Sequence, residues 1–192
     1  MKFIDAKTIQ LDRELSDLDV FVLDFVKILE KHIHYVLISG YVAILFGRSR
    51  TTEDVDMFIE KLSVPKAVDL YNDLLAHDFW ALNASSGEDF YEALTKEKIA
   101  VRFARTSQGV PNVELKIVKD VLDAVALQDR IKVLITGGYF FVSDIAMQIA
   151  YKKFVLMSEK DLADAQYLQD IFSISEENIN KCRRILQDYG RC

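Results

Sequence analysis

Ile38-Ser39-Gly40-Tyr41-Val42-Ala43-Ile44-Leu45-Phe46-Gly47-Arg48-Ser49-Arg50-Thr51-Thr52-Glu53-Asp54-Val55-Asp56 is the stretch on which the reading of this chain turns. Just before it, Tyr35-Val36-Leu37-Ile38 is short, apolar and rich in β-formers, which reads as a buried strand. Ser39-Gly40 breaks that pattern. Tyr41 to Phe46 then reads as a short helix, with Gly47 placed to cap its C-terminus. A polar loop, Arg48 to Glu53, leads into Asp54-Val55-Asp56-Met57-Phe58-Ile59, where polar and apolar residues alternate as on a second strand.

Working outward, Leu15, Leu18, Val22, Phe25, Val26 and Leu29 recur at three- and four-residue steps, so the spacing predicts an amphipathic helix from about Leu11 to Lys31. On the other side, Pro65 opens a helix expected to run to about His77. A short strand over Asp78 to Leu82 and a helix over Ser86 to Thr95 follow. Lys98 to Ala104 and Val113 to Val118 read as a strand pair across the turn Thr106 to Pro111. Asp120 to Asp129 reads as a helix. Thr136-Gly137-Gly138 between Ile131–Ile135 and Tyr139–Val142 is a hairpin signal. From Ser143 onward the period is helical throughout: Asp144 to Met157, Asp161 to Phe172 and Glu176 to Tyr189, with Ser143 and Ser175 as expected N-caps. The reading is therefore an α/β (α+β) chain, with a mixed sheet flanked by helices over residues 1–142. A C-terminal three-helix part, residues 143–192, packs on it.

The chain has 192 residues, with 51% apolar and 28% charged residues and a formal net charge of −6. That composition suits a packed core and lends no global attraction for nucleic acid. Cys182 and Cys192 form neither a disulfide framework nor a zinc pattern. The N-terminal residues lack an apolar signal core, and no run approaches the ~20 apolar residues of a membrane span. No membrane association is expected, and a cytoplasmic location is. His32, His34 and His77 sit near helix ends, where capping and surface roles suit them better than metal binding.

The chemistry concentrates on Asp54 and Asp56. On a strand, a spacing of two sets both carboxylates on one face, roughly 6.5–7 Å apart along the chain. Two like charges so placed repel unless a cation lies between them, and Mg²⁺ takes hard oxygen ligands from one or two carboxylates plus substrate phosphates. Alone, an Asp-x-Asp pair is more often a solvated strand end. Three neighbours sharpen it. Ser39-Gly40 joins a buried strand to a helix and can aim backbone N–H groups at a phosphate; by itself it is an ordinary turn. Arg48 and Arg50 suit phosphate through their planar forks, or merely salt-bridge nearby acids. Glu114 brings a third carboxylate on a later strand, or simply faces solvent.

The order of these residues resembles the minimal nucleotidyltransferases, in which a glycine turn, a short helix, an Arg-x-Thr segment and an Asp-x-Asp strand follow one another. It is particularly similar to the AbiEii-like branch, which includes toxins of toxin–antitoxin systems; the wider superfamily holds DNA polymerase beta and the aminoglycoside nucleotidyltransferases. Gln148-Ile149-Ala150-Tyr151-Lys152 and Ser158-Glu159-Lys160-Asp161-Leu162-Ala163-Asp164-Ala165 resemble the helical pair that follows the sheet in that branch. The resemblance covers residues 35 to 172. It implies Asp54, Asp56 and Glu114 as catalytic metal ligands for Mg²⁺ (or Mn²⁺). It implies Ser39, Gly40, Arg48, Arg50, Lys152 and Asp161 as the nucleotide site, with a nucleoside triphosphate as substrate. Lys152 would line the cleft and contact phosphate, with Asp161 helping to position it.

Two positions depart from the pattern. Ser39 stands where glycine is common, which costs backbone freedom, and Glu114 stands where aspartate is usual. The leading reading is a Mg²⁺-dependent enzyme moving a nucleoside monophosphate to a hydroxyl of a tRNA, a protein or a small molecule. Glu114 or an ion-bound hydroxyl would take the acceptor proton. An antitoxin protein is the partner this reading implies. The alternative is a non-catalytic nucleotide- or partner-binding module of the same fold.

Overall fold

A computed structural model describes residues 1–192. One sheet of nine strands organises it: β1 (Lys2–Asp5), β2 (Thr8–Gln10), β3 (Tyr35–Leu37), β4 (Asp54–Ile59), β5 (Phe79–Ala81), β6 (Val101–Arg105), β7 (Asn112–Ile117), β8 (Ile131–Ile135) and β9 (Gly138–Val142), in the order β1-β2-β8-β9-β3-β4-β7-β6-β5. The pairs β2/β8, β3/β9 and β4/β7 are parallel and the others antiparallel, so the sheet is mixed. The helices are α1 (Asp17–Leu29), α2 (Gly40–Leu45), α3 (Val64–Ala76), α4 (Gly87–Glu92), α5 (Val121–Gln128), α6 (Ile145–Tyr151), α7 (Glu159–Phe172) and α8 (Glu176–Asp188). Single π-helical turns, Ala93–Glu97 and Lys152–Leu156, extend α4 and α6.

The alternation read from the sequence sets the two faces of the central strands. Val55, Met57 and Ile59 of β4, Val113, Leu115 and Ile117 of β7, and Val101 and Phe103 of β6 are buried. Helices α1, α3 and α4 cover that face, with Phe25, Tyr71 and Phe90 making edge or tilted ring contacts to Phe103. The residues between them, Asp54, Asp56, Asn112, Glu114, Lys116 and Arg102, therefore share the opposite face. One hydrophobic core of 46 buried residues runs from Ile9 to Leu186, taking in Ile149 of α6, Ala165 and Leu168 of α7 and Ile179 of α8. The C-terminal helices thus share their apolar interior with the sheet.

Several expectations need correction. The first helix starts at Asp17, not Leu11, because Ser16 and Asp19 form a reciprocal capping box there. Leu11 is buried for another reason: its N–H donates to the Leu134 carbonyl as the β2–β8 pairing runs out. The hairpin β1–β2 went unread, since its strands are short and β1 is wholly exposed. The strand expected from Lys98 begins at Val101. The N-cap of α6 is Asp144, whose side chain accepts from the Met147 N–H, while Ser143 is buried and bonded by its backbone to Leu37. Ser175 caps α8 as expected. Gly47, at φ +102°, ends the helix that Gly40 begins.

Candidate active site

The turn Ser39-Gly40 lies between β3 and α2. The Ile38 N–H donates to the Asp56 carbonyl at 3.0 Å, so the chain leaves the sheet beside the carboxylate strand. Ser39 then takes φ 66° and ψ −139°, close to backbone space that is nearly glycine's alone. A serine thus holds the conformation expected to need glycine, at a cost on the order of 1–3 kcal/mol. Its side chain makes no capping bond to α2. Gly40 is buried, and a Cβ there would lie 3.0 Å from an Arg50 guanidinium nitrogen. Glycine at 40 lets Arg50 lie flat against the turn.

Arg50 is held there from behind. Its Nη1 donates to Asp164 Oδ2 at 2.6 Å, and Arg48 pairs with the other oxygen of the same carboxylate. Lys152 Nζ donates to Asp164 Oδ2 at 2.9 Å and to Asp161 Oδ1 at 3.0 Å. Asp161 sits in the first turn of α7, where Ser158 Oγ caps its backbone N–H and donates to its carboxylate. Burial pushes the Asp161 carboxyl up, but Ser158, Lys152 and Lys160 outweigh it and hold it below its ordinary value. Burial brings the Lys152 ammonium down, with Asp161 opposing and Arg50 and Arg48 adding to the fall.

Lys152 therefore neither lines an open cleft nor reaches bulk solvent. Its side chain is 2% exposed, and both of its ion-pair partners are carboxylates. A mostly apolar helix can carry it inward because α7 supplies two acids to meet it. Asp164, 0% exposed, is the hub that ties the Arg48–Arg50 loop to α6 and α7. Asp164 lies in the stretch Ser158 to Ala165, of which only Asp161 was expected at the site.

On the open face, β4 and β7 pair Asp54 with Asn112 and Asp56 with Glu114. Asn112 Nδ2 donates to Asp54 Oδ1 at 2.7 Å. Glu114 and Asp56 do come together, but around a side chain: Lys116 Nζ lies 2.6 Å from Asp56 Oδ1 and 2.7 Å from Glu114 Oε2. Arg102 of β6 adds a second cation to Glu114, at 2.9 Å. Burial raises the Asp56 carboxyl; Lys116 opposes, and Glu114 adds to the rise. Burial also works to raise Glu114, yet hydrogen bonds from Lys116, Asp56 and Arg102 prevail and bring it down to about 2.

The three carboxylates do not form one ready metal cage. No group of three or more His, Cys, Asp or Glu side chains in the chain is placed to hold an ion together. The reason is the sequence of β7, which offers Asn112, Glu114 and Lys116 on the carboxylate face rather than acid alone. Asp54 and Asp56, two hard-oxygen donors on one strand face with Asp54 exposed, fit a single ion completed by substrate phosphates. Glu114 is engaged by Lys116 and Arg102, so it does not stand open to an ion shared by all three carboxylates. Lys116, Arg102 and Asn112 were missed from sequence; the period-two spacing of Asn112, Glu114 and Lys116 was the available signal.

The comparisons bear on the fold. A solution structure of the antibiotic-resistance factor ANT(2'')-Ia matches with a TM-score of 0.56 at 8% identity, covering 88% of this chain and 91% of that one. A crystal structure of ANT(2'')-Ia in complex with adenylyl-2''-tobramycin matches with a TM-score of 0.58 at 10% identity, over 91% and 99%. This chain has the nucleotidyltransferase fold. A crystal structure of an antigenic nucleotidyltransferase-like protein from Paracoccidioides brasiliensis aligns over 91% of this chain and 90% of that one at 20% identity, with a TM-score of 0.49. No protein-family model matches the sequence, and no curated protein does. No helix is long and apolar enough to cross a membrane.

Proposed function

We propose that this protein binds a nucleoside triphosphate with a divalent cation and transfers the nucleoside monophosphate to a hydroxyl acceptor. The observation that carries this reading is the Ser39-Gly40 turn: a strained serine and a buried glycine, with the Arg50 guanidinium lying on the glycine, directly beside Asp56. Strain kept at one turn, next to an arginine fork and two carboxylates, suits the binding of phosphate more than packing.

In this reading Arg50 and Arg48 draw the phosphates to the turn, and Asp164 with Lys152 and Asp161 keeps the arginines in position. Asp54 and Asp56 would hold Mg²⁺ or Mn²⁺, which would supply charge neutralisation at the phosphates. The acceptor oxygen forms its bond to the α-phosphorus as the bond to the leaving oxygen breaks; the hydroxyl proton passes to solvent water and pyrophosphate departs. Most of such chemistry is positioning and charge stabilisation. The acceptor is a hydroxyl of a tRNA end, a protein or a small molecule, and the likeness in residue order to the AbiEii-like branch supports an antitoxin protein as a partner.

The test is transfer itself. Each nucleoside triphosphate, labelled on its α-phosphorus, is incubated with the protein, Mg²⁺ and an acceptor panel of total tRNA, protein and small hydroxyl compounds. The reading predicts label on one acceptor class with release of pyrophosphate. Saturable triphosphate binding with no transfer to any acceptor would contradict it and support the non-catalytic nucleotide-binding module, which the Lys116 bridge favours.

A further inference from the structure

We infer that Lys116 is a resident cation that fills the seat between Asp56 and Glu114, so that a divalent ion at this site is held by Asp54 and Asp56 without Glu114. The inference rests on the nucleotidyl-transfer reading only in giving the ion a purpose; the geometry stands by itself.

Lys116 lies two residues beyond Glu114 on β7, on the same face, and its ammonium makes ion pairs of 2.6 and 2.7 Å to the two carboxylates. Those are normal charge-assisted lengths, so the ammonium bridges both acids rather than grazing one. Asp56 and Glu114 side chains are 18% and 12% exposed, and a pair of acids so enclosed requires a counter-charge. Arg102 holds Glu114 from the other side. With three carboxylates, one ammonium and one guanidinium, the face carries a net charge of one negative instead of three. A divalent ion entering between Asp56 and Glu114 would have to expel the ammonium and then face Arg102. An ion between Asp54 and Asp56 shares Asp56 with the ammonium, which holds one oxygen of that carboxylate, but on the other side it meets only Asp54, which is exposed and whose partner Asn112 is neutral.

Mn²⁺ binding followed by electron paramagnetic resonance tests this without any turnover. Wild type is expected to bind one ion per chain. Lys116→Met should gain a second ion, or hold the first ~10-fold more tightly or better, since a unit charge within about 4 Å opposes the metal strongly. Lys116→Arg should bind as wild type does. Glu114→Gln, which removes a nearby charge but no ligand of the ion, should weaken binding yet keep one ion per chain, and this arm is decisive even if the methionine variant fails to fold. Loss of Mn²⁺ in Glu114→Gln would overturn the inference. So would equal number and affinity of ions in wild type and folded Lys116→Met. Failure of nucleotidyl transfer alone would leave the inference standing, because the metal titration contains no nucleotide.

Discussion

Ser39 is where local preference and tertiary demand collide. The position departs from the glycine that the family resemblance implies, yet its backbone adopts φ 66° and ψ −139° all the same. Serine there carries strain on the order of 1–3 kcal/mol, while glycine would lose roughly 0.5–1 kcal/mol through its freer unfolded chain. Ser39→Gly is therefore expected to raise stability by about 1 kcal/mol with the fold unchanged, as read by urea unfolding. A destabilised glycine variant would mean that the serine hydroxyl makes a needed contact. Asp56 invites a second prediction. Burial raises its carboxyl, so the ionised form is held at some cost, and Lys116 retains Glu114 if Asp56 is neutralised. Asp56→Asn should melt within a degree or two of wild type, roughly the effect of half a kcal/mol. A large fall in the melting temperature would make Asp56 a structural residue first.

At the scale of elements, the strands and helices that place the turn and the carboxylates were legible because each carries its own punctuation. Gly47 ends α2, Pro65 starts α3, and the alternation in β4 and β7 sets their faces. What stayed hidden depends on contact between distant segments. Nothing local in Lys152 shows that Asp161 and Asp164, on the next helix, will take its ammonium into the interior. Likewise Lys116 reads as a surface lysine until β4 and β7 are set parallel in one register. The buried cluster of Arg48, Arg50, Lys152, Asp161 and Asp164 makes an asymmetric prediction. Removing the hub leaves three cations short of a partner, so Asp164→Ala should cost about 3–5 kcal/mol. Lys152→Met keeps the volume and leaves two arginines facing two acids, so its cost should stay within about 2 kcal/mol. Chemical denaturation of both variants reads the difference; similar losses would show that the lysine, not the acid, organises the contact.

For the molecule as a whole, the shared core binds the C-terminal helices to the sheet, so the site's two halves, α2 with β4 and α6 with α7, stand or fall together. Its acid response follows from the carboxylates the fold holds down. In Asp19 and Asp161 burial raises the carboxyl, but hydrogen bonds outweigh it and leave both below their ordinary value of 3.8. A depressed folded value adds stability that is complete above the unfolded value and fades as pH falls through the folded one. Glu114 behaves alike between 4.5 and about 2, while Asp56, raised by burial, works the other way. Stability should therefore hold steady from neutrality to near pH 5 and decline below it, as urea midpoints across pH would show; a decline already complete at pH 5 would go against this. The central claim is that the Ser39-Gly40 turn, Arg50 and the Asp54–Asp56 pair together form a metal-assisted triphosphate site. Its most direct test is calorimetric titration of wild type and Asp56→Asn with a non-hydrolysable nucleoside triphosphate, with and without Mg²⁺. The account predicts one saturable site in wild type that needs Mg²⁺ and weakens at least ~10-fold in the variant, about 1.4 kcal/mol. Binding that is absent in wild type, or indifferent to both Mg²⁺ and the substitution, would contradict it.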